Sequence, residues 1–270
     1  MTTSKFSHSS LATKGPKLFS IIKFIDKYFF LGSVAFLHRK YLNLRSKLEI
    51  KNYEFNYNFS YNGRNNDLDT LCDLYGSDKG YLNIDKRVLF NNWHPHTYTD
   101  VYSNMFDHCK ESIENVFECG IGTNTSLISG MGDRYKPGAS LRVWRDYFKN
   151  ANILGADIDK NILFNDHRIK TNYVDQINPK SINDMWEKYN NIDFDLMIDD
   201  GLHTFEAGKI LFENSFHKLK AKGIYVIEDV SHLYLYRLAE FFKDYNHIIV
   251  KLESSKANLL EDNNMIIIKK

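Results

Sequence analysis

The chain has 270 residues, is 43% hydrophobic and 26% charged, and carries a formal net charge of +1. Those proportions are ordinary for a soluble globular protein with room for one large domain or two small ones, and the near-zero charge excludes a long-range field that would gather nucleic acid. Three cysteines, Cys72, Cys109 and Cys119, have neither metal-site spacing nor an even count for a disulfide framework, which fits a reducing cytoplasm.

Residues 1–17 are polar and rich in Ser, Thr and Lys, the composition of an unstructured start. Residues 18–37 are apolar over roughly the length of a membrane span, but Lys23, Asp26 and Lys27 interrupt them, and charges in mid-span are costly. A small-residue cleavage site is lacking, which argues against a signal peptide. The three charges fall on one helical face, so an amphipathic helix is predicted there. Its expected role is packing on the main domain or on a second subunit, which favours a homo-oligomer; a peripheral membrane contact is the alternative. Residues 38–66 are basic, then Asn/Tyr-rich, and read as a connector. The division expected is an N-terminal extension over 1–66 and a main domain over 67–270.

From residue 67 the character changes. Residues 68–75 have helical spacing and end in Gly76, followed by the turn Gly76-Ser77-Asp78-Lys79-Gly80. Trp93, His94, His96, Tyr98 and Tyr102 come next; they could line a pocket or pack as a helix face. Residues 116–119 read as a buried strand running into the glycine-rich turn Gly120-Ile121-Gly122. Residues 153–156 are a second strand, ending in Asp157 and Asp159. Residues 169–174 are a third, ending in Asp175 and Gln176. Helices are expected over 183–189, 205–219 and 233–242. Residues 247–252 and 265–269 are Ile-rich strands joined by a polar loop too short for a crossover helix, so they should be antiparallel to each other. Strand–helix alternation followed by a terminal hairpin predicts an α/β fold, a Rossmann-like doubly wound sheet, mostly parallel with an antiparallel C-terminal hairpin. No internal repeat or low-complexity tract is evident.

The chemistry gathers in DFDLMIDDGLH (193–203), a buried strand that meets Asp199 and Asp200, turns at Gly201 and reaches His203. A second buried strand, 223–227, ends in Glu228 and Asp229. In an open α/β sheet ligands bind beyond the carboxyl ends of the strands. If these two strands are parallel neighbours, Asp200, Glu228 and Asp229 could converge on one hard cation through oxygen ligands, with His203 beside it as a base. Acids at strand ends also serve simply as helix caps or stay in solvent, but two acidic pairs with a histidine make the site reading the stronger one.

The glycine turn points to a nucleoside cofactor. A dinucleotide site needs G-x-G-x-x-G, and Thr125 stands where the third glycine belongs, so a nicotinamide oxidoreductase is disfavoured. An acid just before the glycines, Glu118, suits a cofactor with an amino group and no phosphate, such as S-adenosylmethionine. Asp157 is placed for the ribose hydroxyls, and Asp175 and Gln176 for the adenine.

From residue 74 onward the chain resembles the class I S-adenosylmethionine-dependent methyltransferases, and within them the mycinamicin-type sugar O-methyltransferases. The segments that carry the resemblance are LYGSDKG (74–80), HTYTDVY (96–102), ECGIGTN (118–124), PGASLRVWRDYF (137–148), ILGADID (153–159), DQ (175–176), MIDDGLH (197–203) and GIYVIEDV (223–230). The resemblance implies magnesium ligands at Asp200, Glu228 and Asp229, a general base at His203 with Asp200 sharing the catalytic site, and cofactor contacts at Glu118, Gly120, Gly122, Asp157, Asp175, Gln176 and Asp199. It also places the 76–80 turn, with Ser77 and Lys79, near the methionine end. Leu202 departs from the serine usual there, and Thr123–Asn124 from the small residues common in that turn. The activity implied is magnesium-assisted methyl transfer to a sugar hydroxyl, on a sugar nucleotide or on a glycan or natural-product sugar. A Lys/Asn/Ile/Phe-heavy composition hints at an AT-rich genome and a surface-polysaccharide sugar. The alternatives are a metal-independent small-molecule methyltransferase on the same scaffold and a non-catalytic binding module.

Overall fold

The computed structural model describes residues 57–60, 66–80, 96–124, 135–253 and 262–270. All belong to one compact unit, Tyr53–Lys270. The amphipathic helix expected over 18–37, the unstructured start, and Trp93 and His94 lie outside the described residues.

Nine strands form one sheet: β1 Tyr57–Ser60, β2 Asn115–Cys119, β3 Asn152–Asp157, β4 Asn165–Asp166, β5 Ile169–Tyr173, β6 Phe194–Asp199, β7 Leu219–Ile227, β8 Asn246–Glu253 and β9 Asn264–Lys269. Their order across the sheet is β1-β8-β9-β7-β6-β2-β3-β5-β4. β9 is antiparallel to both its neighbours, β7 and β8, and β4 is antiparallel to β5; every other pairing is parallel. The mostly parallel sheet with its antiparallel C-terminal hairpin is therefore as expected. Two strands were not. β1 falls within the expected connector, yet it pairs in parallel with β8 at the sheet edge. β4 is only a two-residue bridge. β7 also starts four residues earlier than its apolar run, because its first half, Leu219-Lys220-Ala221-Lys222, is buried only at Leu219 and exposed at Ala221 and Lys222.

Six helices are described: α1 Asp67–Tyr75, α2 Tyr98–Phe106, α3 Ala139–Tyr147, α4 Pro179–Lys188, α5 Phe205–Ser215 and α6 His232–Phe241. Local chemistry sets their ends. Asn66 accepts from the Asp69 N–H at the start of α1, and Gly76 ends it in the left-handed region at φ 74°. Asn178 caps α4, whose first residue is Pro179. The long helix expected over 205–219 stops at Ser215, passes through a 3-10 turn, Phe216–Lys218, and goes directly into β7.

Alternation along β2 assigns the two layers. Phe117 packs on Trp186 of α4, ring centroids 4.8 Å apart. Glu118 points the other way and meets Trp144 of α3. On that second face Tyr102 stacks edge-on against Trp144 at 4.8 Å, and Phe106 against Phe148 at 5.4 Å. The strand order reverses between β2 and β6, because the chain leaves β2 for β3 on one side and returns to β6 on the other. That gap is the switch point where such sheets bind ligands.

Arg168, at the turn into β5 with φ 56°, ties the far end of this layer. Its guanidinium donates to the carbonyls of Phe148 at 3.1 Å, Ala151 at 2.6 Å and Arg145 at 2.7 Å, just where α3 ends and its carbonyls lack helical partners. Arg168→Ala is expected to lower unfolding free energy by about 2 kcal/mol in a urea titration. An unchanged midpoint would show that water replaces these bonds without cost.

Candidate active site

The sheet ladder carries past the strand ends and lines up the acids. Asp200 N–H donates to Cys119 O at 2.9 Å, Glu228 N–H to Asp199 O at 3.0 Å, and Gly120 N–H to Ala156 O at 2.8 Å. Gly120 has φ 90° and Gly122 φ 102°. A Cβ on Gly120 would overlap Asp200 O and lie 2.5 Å from its carbonyl carbon, so the close approach of β2 to the loop after β6 requires glycine.

Three carboxylates converge on Lys79. Its ammonium bonds Glu228 Oε2, lies 2.6 Å from Asp200 Oδ2 and 3.3 Å from Glu118 Oε1. Lys79, Glu118 and Glu228 are all buried. Burial pushes the Glu118 carboxyl up to about 7 and Glu228 up to about 8, with the lysine opposing the rise in both. For Asp200 burial acts the same way, but Lys79 and His203 prevail and hold it at about 2. Glu228 Oε1 accepts from the Tyr102 hydroxyl at 2.7 Å, and Glu118 Oε2 from Trp144 Nε1 at 2.9 Å.

A second group shares Asp200. His203 Nε2 lies 3.3 Å from Asp200 Oδ1 and its Nδ1 3.7 Å from Asp229 Oδ2. His203 has φ 55° and Asp229 φ 53°, conformations that a bulky residue adopts only when its surroundings fix it. Burial works to lower the His203 pKa, but Asp229 and Asp200 prevail and raise it to about 10. Asp229 Oδ1 is held from behind by the Tyr98 hydroxyl at 2.5 Å and by His96 Nε2 at 3.4 Å. His96 is buried, stacks on Tyr98 at 4.7 Å and bonds Asn263 Oδ1 through Nδ1 at 3.1 Å.

The residues expected on the cofactor side lie along the same edge. Asp157 Oδ2 accepts from Ile121 N–H at 2.9 Å and Oδ1 from Asp159 N–H at 2.8 Å, bracing the glycine turn. Gln176 bridges: its Nε2 donates to Asp199 Oδ1 at 2.6 Å, and its Oε1 accepts from Leu202 N–H at 2.8 Å. Leu202, the departure from the family pattern, thus makes this bond through its backbone. Asp199 is buried, and burial raises its carboxyl to about 6. Asp175 Oδ1 accepts from Ile177 N–H at 3.2 Å. Ser77 is buried in the 76–80 turn, where its Oγ accepts from the Lys79 N–H at 3.4 Å. Thr123 N–H donates to the Tyr135 hydroxyl at 2.6 Å, beside Gly122.

The structure brings Asp200, Asp229 and His203 together, whereas Glu228, expected with Asp200 and Asp229, meets Asp200 and Glu118 around Lys79. Lys79, expected with the 76–80 turn near the methionine end, lies beside Glu118, and its ammonium also meets Asp200 and Glu228, contacts the sequence did not suggest. The sequence left open whether Tyr98 and Tyr102 pack or line a site, and they do both. They stand four apart on α2, hence on one face, and their hydroxyls take neighbouring acids. That spacing was the available signal.

The donor set suits the groups that the resemblance implies. Asp200, His203 and Asp229 offer ligand atoms within 4.8 Å of one another, and two of the three are carboxylates, the hard oxygen donors magnesium prefers. In the glycine turn Gly122 is exposed at the sheet edge, while Gly120 packs against the Asp200 backbone. No family model matches the chain. The chain is 32% identical over 144 residues to 8-demethyl-8-alpha-L-rhamnosyl tetracenomycin-C 2'-O-methyltransferase of Streptomyces olivaceus, covering 53% of this chain and 36% of that protein. It is 30% identical over 135 residues to mycinamicin VI 2''-O-methyltransferase of Micromonospora griseorubida, covering 50% and 32%. The matched segment is thus similar to part of several sugar O-methyltransferases. It spans about a third of the length of these curated relatives. A solved methyltransferase of the mycinamycin biosynthetic pathway, in complex with Mg, SAH and mycinamycin VI, superposes with TM-score 0.53 at 24% identity over 76% of this chain and 55% of that one. The two thus share a fold over that region. Among the described residues no helix is long and apolar enough to cross a membrane, and all three cysteines are free.

Proposed function

We propose that the chain is an S-adenosylmethionine-dependent O-methyltransferase acting on a sugar hydroxyl, with a magnesium ion held by Asp200 and Asp229, while Glu228, expected as the third ligand, has its oxygens engaged by Lys79 and Tyr102. The observation that carries this reading is the meeting of Asp200, Asp229 and His203 beside a glycine cradle at the sheet's switch point. The homology to sugar O-methyltransferases supports it.

When bound, the cofactor supplies the methyl group and the metal lowers the pKa of the attacking hydroxyl. The chain's residues supply the rest. His203 is partly exposed, so a substrate hydroxyl can reach it, and it takes the proton. It can do so near neutral pH only when Asp200 and Asp229 are engaged by a cation, because their charges otherwise keep it protonated. Tyr98, Tyr102 and His96 fix the carboxylates from behind, so they need not reorganise. Gly120 and Gly122 admit the nucleoside, with Asp157, Asp175, Gln176 and Asp199 around it and Ser77 near its amino-acid end. Holding acceptor and cofactor in fixed positions would supply much of the rate gain.

The acceptor we favour is a sugar nucleotide or a surface-polysaccharide sugar, methylated in the cytoplasm by a homo-oligomer. A calorimetric titration with S-adenosylmethionine, with and without magnesium, tests the cofactor. Asp200→Asn combined with Glu228→Gln is expected to abolish metal-dependent turnover. Full activity of the wild type in a chelator would instead favour a metal-independent methyltransferase, and absence of cofactor binding would favour a binding module.

A further inference from the structure

Lys79 is 3% exposed, and a buried ammonium persists only where fixed negative charge surrounds it. Here the surrounding set is closed. The oxygens of Glu118, Asp200 and Glu228 facing it lie within 4.8 Å of one another. Glu118 Oε1 is fully buried and accepts no hydrogen bond; the ammonium at 3.3 Å is what compensates it. Three carboxyl groups this close cannot all stay ionised unless a cation stands between them. The ammonium arrives from the turn after α1, 149 residues away in sequence from Glu228, so the chain supplies that cation itself. Asp200 divides its oxygens between the two groups: Oδ2 faces Lys79 and Oδ1 faces His203.

Resting on the reading of Asp200 and Asp229 as metal ligands, we propose that Lys79 is a positioning residue that acts as a built-in cation. Its ammonium takes the place a second divalent ion would occupy among Glu118, Asp200 and Glu228, and so keeps the centre to a single exchangeable metal. It also fixes Asp200 with one oxygen turned toward His203, and it ties the wall of the glycine cradle, through Glu118, to the carboxylates of the next two strands. A neutral side chain of the same length would leave three buried oxygens facing each other with the geometry of a hard-cation site.

The test is the number of Mn2+ ions bound per full-length chain, counted by electron paramagnetic resonance titration, in the wild type and in Lys79→Met. The variant is expected to bind one more ion than the wild type, and Lys79→Arg to keep the wild-type number. Equal counts in wild type and Lys79→Met overturn the proposal, whatever the wild-type number is. A wild type that binds none beside a variant that binds one supports the role of Lys79 while removing the metal reading of Asp200 and Asp229. If Lys79→Met does not fold without metal, it is refolded with Mn2+ present. Recovery of folded protein carrying the additional ion supports the proposal, and failure of Mn2+ to restore it overturns it.

Discussion

Replacing His203 with alanine is expected to lower kcat by roughly 10²- to 10⁴-fold, the usual contribution of a general base, with S-adenosylmethionine affinity nearly unchanged. Among the described residues the polar partners of the imidazole are Asp200 and Asp229, and no hydrogen bond or ion pair joins it to the glycine turn. Asp200 stays paired with Lys79 in the variant, so the acid cluster keeps its main counter-charge. Alanine at φ 55° carries some backbone strain of its own. His203→Asn is therefore the matched control, because asparagine tolerates the left-handed region and has no basic nitrogen. Both variants should fold, bind cofactor in a calorimetric titration and fail to turn over. Retention of near-wild-type kcat in either would remove His203 as the base.

Gly120→Ala is expected to cost roughly 2–5 kcal/mol of stability, combining left-handed backbone strain with overpacking. The atoms a Cβ would strike are all backbone: Asp200 O, Asp200 C at 2.5 Å and Gly201 Cα at 2.8 Å. None can rotate aside as a side chain would. The loop they belong to is pinned by the Asp200 N–H to Cys119 O bond and by Gln176, which holds Leu202 N–H. Relief must come from parting β2 and β6 at their carboxyl ends, which displaces Asp200 and with it the site. Turnover should fall by roughly 100-fold, as for a displacement near 1 Å in a positioned site. Gly208→Ala is the control. Gly208 is inside α5, and the nearest atom to a Cβ is Asp199 Oδ2 at 3.5 Å, ordinary contact. That variant should be neutral or more stable by up to about 1 kcal/mol, since alanine favours helix over glycine. Equal denaturant midpoints for the two variants would show that the close approach at Gly120 is not rigid.

Much of this protein is written locally. Apolar runs ending in acids place Asp199–Asp200 at the end of β6 and Glu228–Asp229 after β7, because a buried strand is a short apolar segment and its exit is where polar residues resume. The glycines at 120 and 122 announce a backbone that must turn and approach something closely, and the positive φ values are the outcome. The long apolar pattern of β8 and β9 and their short connection fix their antiparallel pairing. Periodicity and residue chemistry are properties of neighbours in the chain, so they can be read without knowing the fold.

What depended on the tertiary structure is every pairing between distant segments. Lys79 is 121 residues from Asp200, and nothing in the turn 76–80 says that its ammonium enters an acid cluster rather than solvent. Residues 57–60 look like linker because an edge strand has one partner and needs no strong apolar run; β8 supplies that partner. Asp157 reads as a ribose acceptor, yet both its oxygens already hold backbone N–H groups. The charge state of His203 follows from two carboxylates on different strands, brought to either side of one imidazole. Electrostatic interactions fall with distance in space and ignore separation in sequence, so the sequence determined which groups are present and the fold decided which of them share a charge.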